Sequence, residues 1–418
     1  VRVSESPVSL PSHDPWSSVQ VGIVGKPNAG KSTFFSAATL TLVPIANYPF
    51  TTIRPNHGIS YLRTKCVHEE LGVEDNPQNS RCIDGERFIP IDIIDLPGLV
   101  PGASEGRGLG NQFLDELRKA DALIHVVDAS GSTDSEGKLT QPGAHNPVED
   151  VVFLETELRM WMLRIVSKDW EKTARKMEMA GEDPASLVSD RLSGLGVGKS
   201  QAESGIKRAG LKGKPSGWTQ GDLIKLVDVI RKETKPLLLA ANKIDLPTSI
   251  GNVNRLKETG NLTIPVSAEA ELALRRAAEK RLIEYKPGDP GFLLPNTGSA
   301  SAEQKAALEM IREKVLKPIG STGVQACINS AFLNLLNMIV VYPVENPEKF
   351  TDHAGNVLPD AYLVPNGTTL KQLALKIHTE IGEQMLYGIN ARNGMRLSDN
   401  YVLKAQDVVS IVSAAKRA

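Results

Sequence analysis

Gly25-Lys26-Pro27-Asn28-Ala29-Gly30-Lys31-Ser32 is the stretch whose reading decides the fold. An apolar, β-branched run (Val19, Val21, Ile23, Val24) precedes it and a helix-compatible segment follows. Strand, glycine loop and helix in that order make G-x-x-x-x-G-K-S a phosphate loop rather than a Gly-rich turn before an ordinary helix. The glycines let the chain turn so that successive N–H groups point inward as a nest for phosphate oxygens. The helix behind adds the positive end of its dipole. In this reading Lys31 reaches the β- and γ-phosphates and the Ser32 hydroxyl ligates Mg²⁺. Gly25, Pro27, Asn28, Ala29, Gly30, Lys31, Ser32 and Thr33 are therefore the first candidate binding residues.

Outward from this loop, the chain is long for one core, and its 418 residues lead us to expect two or three domains. Hydrophobic content of 41% and charged content of 23% are those of an ordinary globular protein. No apolar run approaches the roughly 20 residues that span a bilayer, so no membrane role is expected. Residues 1–18 are Ser/Pro-rich, lack the apolar core of a signal peptide and read as a flexible lead. The lack of an initiator Met fits a native start lying upstream. Three cysteines (Cys66, Cys82, Cys327) make no disulfide framework, which suits a reducing cytosol and a cytoplasmic protein. A net charge of −1 leaves any RNA contact to a local patch.

The segment Asn47-Tyr48-Pro49-Phe50-Thr51-Thr52-Ile53-Arg54-Pro55-Asn56 carries two prolines and reads as a loop. It lies where P-loop GTPases keep a first switch, in which a Thr senses Mg²⁺ and the γ-phosphate. Thr52 is the choice for that role and Thr51 the fallback. Ile59–Leu62 and Arg87–Ile94 look like paired strands around a polar insertion, Cys66 to Cys82. Cys66-x-His68 followed by Cys82 offers three ligands where structural zinc takes four. Asp84 or His57 could complete the set; the alternative is a surface hairpin with incidental thiols.

The second strand ends in Asp95-Leu96-Pro97-Gly98. An Asp at a strand end followed by x-x-Gly is the Mg²⁺-side element of P-loop NTPases, with Asp95 toward the metal and the Gly98 N–H toward the γ-phosphate. Four glycines between Leu99 and Asn111 suit a second, mobile switch. Asp121–Asp128 reads as a buried parallel strand, with His125 a core residue. Asn146-Pro147-x-Glu149 starts a helix whose Leu154, Leu158, Trp161, Met162 and Ile165 share one face. From 147 to about 232 the pattern stays helical, an insertion that decorates the sheet. Within it Gly196-Val197-Gly198-Lys199-Ser200 imitates a phosphate loop but has Ser193 where the first glycine belongs and no strand before it.

Leu237–Ala241 restores the buried-strand signature and leads into Asn242-Lys243-Ile244-Asp245. Asn-Lys-x-Asp after a strand reads guanine. Asp245 accepts from the ring N1–H and the exocyclic amine, while Asn242 and Lys243 brace the loop and cover the base. Adenine would leave the carboxylate facing a lone pair, and a site built on such hydrogen bonds rejects the wrong partner by about 10⁴-fold or more. Ser267-Ala268 follows the last strand and steadies the base through backbone contacts.

On these residues, with Tyr48–Thr52 and Asp95–Gly106, the sequence resembles Obg-family GTPases of the YchF-related branch. The resemblance covers most of the chain. It implies an α/β P-loop NTPase G domain with a mostly parallel sheet at 19–286, a helical insertion at about 147–232, a helical connection at 287–337 and a β-grasp, ubiquitin-like TGS module at 338–418. Typical YchF proteins have lost Asn-Lys-x-Asp and look like ATPases; this chain keeps Asn242, Lys243 and Asp245, which points to GTP. Leu99 stands where many small GTPases place a water-orienting Gln, so slow intrinsic hydrolysis is expected. The resemblance implies that Asn28 helps bind a K⁺ ion that supplies charge to the transition state. Lys31, Thr52, Gly98 and Asn28 are thus the catalytic candidates, and Ser32, Thr52 and Asp95 the Mg²⁺ candidates. The TGS module implies a ribosome or RNA partner. Its eight Lys/Arg against eight Asp/Glu do not insist on it, and docking of a protein partner, with incidental hydrolysis, is the alternative.

Overall fold

The strand that feeds the phosphate loop, β1 (Gln20–Val24), is buried along nearly its whole length and sits inside the larger of two sheets. The structure, a computed structural model, describes residues 19–40, 57–98, 110–295 and 300–414. Thr51, Thr52 and Leu99 lie outside these. After β1 come α1 (Lys31–Thr39), β2 (His57–Lys65), α2 (His68–Leu71), β3 (Arg81–Ile83), β4 (Glu86–Asp95), α3 (Gly110–Lys119) and β5 (Ala122–Asp128). Five helices follow: α4 (Pro147–Ser167), α5 (Trp170–Ala180), α6 (Pro184–Leu192), α7 (Lys199–Arg208) and α8 (Gln220–Thr234). Then β6 (Leu237–Asn242), α9 (Ser249–Glu258), β7 (Thr263–Pro265) and α10 (Ala268–Glu279) complete the unit.

The sheet runs β2-β4-β1-β5-β6-β7, with β3 paired to β4. β4, β1, β5, β6 and β7 are parallel, while β2 and β3 run antiparallel to β4. Because the parallel strands point one way, the loops that leave them all open at one edge of the sheet, where α/β folds hold ligands. Side-chain alternation then divides the core in two. Leu123 and Leu239 join the insertion helices through Trp161, Leu192 and Leu226. Their neighbours Ile124 and Leu238 face the opposite side with Phe34, Ile328 and Phe332. Inside the insertion Trp170 stacks on Trp218, centroids 5.6 Å apart, and donates its indole N–H to Pro215 O at 2.9 Å. Gly198 there is only the residue before α7, and Lys199 pairs with Asp183 at 3.2 Å.

The connection holds α11 (Ala302–Ile311), α12 (Lys317–Ile319) and α13 (Val324–Ser330). The sequence suggests one even helix over Ala302–Leu316; instead α11 widens into a π-type turn at Arg312–Leu316. Pro318 explains this, since it has no N–H to return to the preceding turn.

The second sheet contains β8 (Met338–Val344), β9 (Tyr362–Pro365), β10 (Met385–Asn390), β11 (Arg396–Leu397) and β12 (Val408–Ser413), ordered β11-β10-β12-β8-β9. Its central pair, β8 and β12, is parallel and the rest antiparallel, the mixed sheet of a β-grasp. α14 (Leu370–Ile377) packs Leu370 and Leu373 against Val341, Val364 and Val409. α14 ends before His378, which is extended (φ −162°) and caps the short α15 (Thr379–Glu383). Tyr342 and Val340 of β8 share the buried cluster of β1 and β4, so the two sheets are joined by packed core.

Candidate functional site

Backbone geometry makes the phosphate loop specific to its residues. Gly30 takes φ 98°, and a Cβ there would meet Asn242 Nδ2 at 2.2 Å; one at Gly25 would meet Val126 O at 2.4 Å. Both positions require glycine. Asn28 is also left-handed (φ 60°), and its Nδ2 donates to Gly137 O at 2.9 Å. Lys26 is buried. It pairs with Asp150 at 2.8 Å and donates to Thr133 O at 2.9 Å, while His145 Nε2 lies 2.8 Å from the other Asp150 oxygen. The segment after β5 therefore laces down the phosphate loop, which no motif announces.

Lys31 and Asp95 face each other across this loop. Burial lowers the Lys31 pKa, opposed by the Asp95 charge; burial raises that of Asp95, opposed by Lys31. Asp95 Oδ1 is buried, and among the described residues it has no hydrogen-bond partner. An acceptor so placed beside a phosphate nest fits a hydrated Mg²⁺. Ser32, in the first turn of α1, opens at the same edge, and Gly98 abuts Pro27 at a distance where an added Cβ would lie 3.5 Å from Cγ.

Asn242 ends β6 and ties two loops together. Its Nδ2 donates to Ala29 O at 2.9 Å and its Oδ1 accepts from the Ala268 N–H at 3.0 Å. Ser267 donates to Asp245 Oδ1 at 2.8 Å, which orients the carboxylate over a cavity of about 210 Å³ bounded also by Gly30 and Thr33. Lys243 (φ 63°) anchors its ammonium 2.9 Å from Asp128 Oδ2. Asp128 is wholly buried; burial pushes its carboxyl up, but bonds from Ser130, Lys243 and Thr133 outweigh this and hold it below the usual range. The sequence reading treated Asp128 as a strand end only; the run Ser130-Gly-Ser132-Thr133 after it was the available signal.

The residues that the sequence assigns to phosphate, metal and base thus converge on one edge. The chain matches the family described as Obg-like GTPase YGR210-like, G4 motif-containing domain, over residues 240–346. It also matches the 50S ribosome-binding GTPase family over 20–154 and the TGS domain over 354–413. It is 48% identical over 398 residues to an uncharacterized GTP-binding protein of Methanocaldococcus jannaschii, covering 95% of this chain and 99% of the relative. The chain belongs to the YchF-like Obg-family GTPases. Another relative of this YchF-like GTPase, the ribosome-binding ATPase YchF of Buchnera aphidicola, is 27% identical, with 87% of this chain and 85% of the relative covered. Among solved structures, a GTP-binding protein from Pyrococcus horikoshii OT3 superposes with a TM-score of 0.76 at 39% identity, covering 95% of this chain and all of that one. The YchF-like GTPase accordingly pairs a nucleotide-binding G domain of mostly parallel sheet with a C-terminal TGS domain on its own mixed sheet. Among the described residues, no helix is long and apolar enough to cross a membrane.

Proposed function

We propose that this GTPase is a Mg²⁺-dependent, guanine-selective switch that acts with the ribosome or a ribosome-associated RNA. The observation that carries it is the Asn242 bridge, which joins the phosphate loop to the Ser267-Ala268 loop beside Asp245. In this reading Asp245 accepts from the guanine N1–H and amine. The Lys243 stem covers the base while its ammonium stays on Asp128. Lys31 and the N–H groups of the loop on either side of Pro27 take the phosphates, and the Gly98 N–H meets the γ-phosphate. Asp95, Ser32 and Thr52 would hold the Mg²⁺, which would supply positive charge to offset that of the phosphates. Adenine would leave Asp245 facing a lone pair, so GTP rather than ATP is the substrate here, unlike the relative named as an ATPase.

Leu99 has no group to orient water, so the chain's own turnover is slow. Asn28 commits its amide nitrogen to Gly137, and its carbonyl oxygen is the atom that would take K⁺. The names of the Buchnera relative and of the 50S ribosome-binding family support a ribosomal partner. Co-sedimentation with purified subunits, comparing GDP with a non-hydrolysable GTP analogue, tests this. Binding to one subunit favoured by the analogue is the expected result. No binding in either state, with GTP affinity intact, would turn the proposal toward an adaptor that docks a protein through the TGS module.

A further inference from the structure

The insertion between β2 and β4 is not used by the nucleotide site, and its side chains converge. Cys66 directly follows β2, His68 opens α2, Asp75 lies in the loop after Gly72, and Cys82 is the middle residue of β3. One donor atom from each lies within 4.8 Å of all the others. Cys66 Sγ is 3.1 Å from Asp75 Oδ2, His68 Nδ1 is 3.5 Å from the same oxygen, and Cys82 Sγ is 3.5 Å from His68 Nδ1. Zinc bonds of roughly 2.0–2.3 Å in a tetrahedron set neighbouring ligands about 3.3–3.8 Å apart. The two 3.5 Å edges fall in that range, the 3.1 Å edge lies just below it, and every other edge is within 4.8 Å.

We propose that Cys66, His68, Asp75 and Cys82 form a structural zinc site that closes the loop by which the G domain holds the C-terminal module. Neither residue suggested by spacing completes the set. Asp84 occupies the hairpin turn with Gly85 (φ 48° and 78°) and pairs with Lys286, and His57 lies beside Asp92 and Glu116. Asp75 is the fourth ligand. Two sulfurs, one imidazole and one carboxylate favour zinc over the all-oxygen shells that Mg²⁺ and Ca²⁺ select. Two thiolates and a carboxylate around Zn²⁺ leave one negative charge, and Arg87, fully buried, sets its guanidinium 3.5 Å from Asp75. The same guanidinium donates to Leu358 O at 2.9 Å and lies over the Tyr342 ring at 5.4 Å, reaching from the site into the module.

The loop needs such a closure. Residues 74–79 offer no apolar side chain but Pro77, yet they add a set of hydrogen bonds to the module beside the packed core. Asn76 N–H donates to Val357 O at 2.8 Å, Gln78 N–H to Pro359 O at 2.6 Å, and Asn79 Oδ1 accepts from the Ala361 N–H at 2.9 Å. All three lie between ligands Asp75 and Cys82. A metal fixes both ends of a segment that no core of its own would order.

Metal analysis of the full chain, purified without metal-affinity resin, is expected to find about one zinc per chain. Replacement by Co²⁺ should give the visible bands of a tetrahedral ion and a thiolate-to-cobalt charge-transfer band. Cys66 and Cys82 should resist a thiol reagent until a chelator is added, after which cleavage within 66–82 by protease should appear. Asp75→Asn and Cys82→Ser should lose zinc and the cobalt band while still binding GTP. A folded, GTP-binding chain that carries no zinc, gives no charge-transfer band with added Co²⁺ and reacts at both thiols without chelator would overturn the site. Zinc retained equally in Asp75→Asn and Cys82→Ser would overturn it too.

Discussion

Gly25–Ser32 and Gly196–Ser200 share a glycine-lysine-serine string and become different objects. Lys199, in the second, stands largely in solvent and already has its counter-charge in Asp183, and its loop merely starts a helix on the insertion. In the first, Lys31 is half-buried opposite an Asp95 with one oxygen unpartnered among the described residues, and the loop around it is held from outside by Asn242, Gly137 and the Lys26–Asp150 pair. A surface lysine with a partner is a satisfied residue. A half-buried lysine beside an acceptor left unpartnered by the described residues, in a loop that others brace, is one prepared for a ligand.

That contrast can be broken most directly at the lysines. Lys31→Ala should cut single-turnover GTP hydrolysis about 10²–10³-fold, the usual cost of losing one group aimed at transition-state charge. Next in size is Asp245→Asn. A carboxamide mismatches the guanine amine, so GTP affinity should fall by roughly 10–100-fold. Xanthosine triphosphate, which has a carbonyl where guanine has that amine, should bind the variant better than GTP does; equal affinities by calorimetry would remove Asp245 from base recognition. Asn242→Ala should lower unfolding stability by about 1–3 kcal/mol, since it orphans the buried Ala29 carbonyl and Ala268 N–H, and should weaken GTP binding as well.

Acid sharpens the comparison. His125 pairs in register with Val24, the last residue before the first loop, and burial pushes its pKa down to about 3 from 6.5. The unfolded chain takes up a proton that the folded chain refuses. Stability is therefore lost as pH falls from 6.5 toward 3, by at most about 1.4 kcal/mol per pH unit from this group. His125→Leu should flatten that limb in denaturant titrations at stepped pH. Smallest of all, Lys199→Ala should leave hydrolysis unchanged and stability within about 0.5 kcal/mol. A loss of turnover there would make the two loops alike after all.

The fold was legible wherever a local pattern carried it. Strand, glycine loop and helix around Gly25, the Asp95 strand end and Asn242–Asp245 each state their place within a few residues, and the comparisons agree with the family they imply. The Asp84-Gly85 dipeptide was a readable hairpin signal, and both residues are left-handed as such a two-residue turn requires. What escaped is non-local. Lys26 meets Asp150, and Asp75 reaches Cys66 and His68, only because tertiary packing brings separate loops together, and no spacing rule encodes that. The wide turn before Pro318 was partly legible, since proline marked the place without saying how the helix would absorb it. Thr51, Thr52 and Leu99, for which the sequence suggests switch roles, lie outside the described part of the chain.

The Asn242 bridge has a thermodynamic corollary. It is made entirely of protein atoms, so the relative placement of the base-side and phosphate-side loops is already set when the chain folds. On the proposed base-side role of Asp245, a guanine nucleotide would meet an assembled cradle and lose less conformational entropy to ordering it. In the proposed reading, folding stability and nucleotide affinity are consequently drawn from one shared contact, and a change that loosens the protein at Asn242 is expected to weaken nucleotide binding as well.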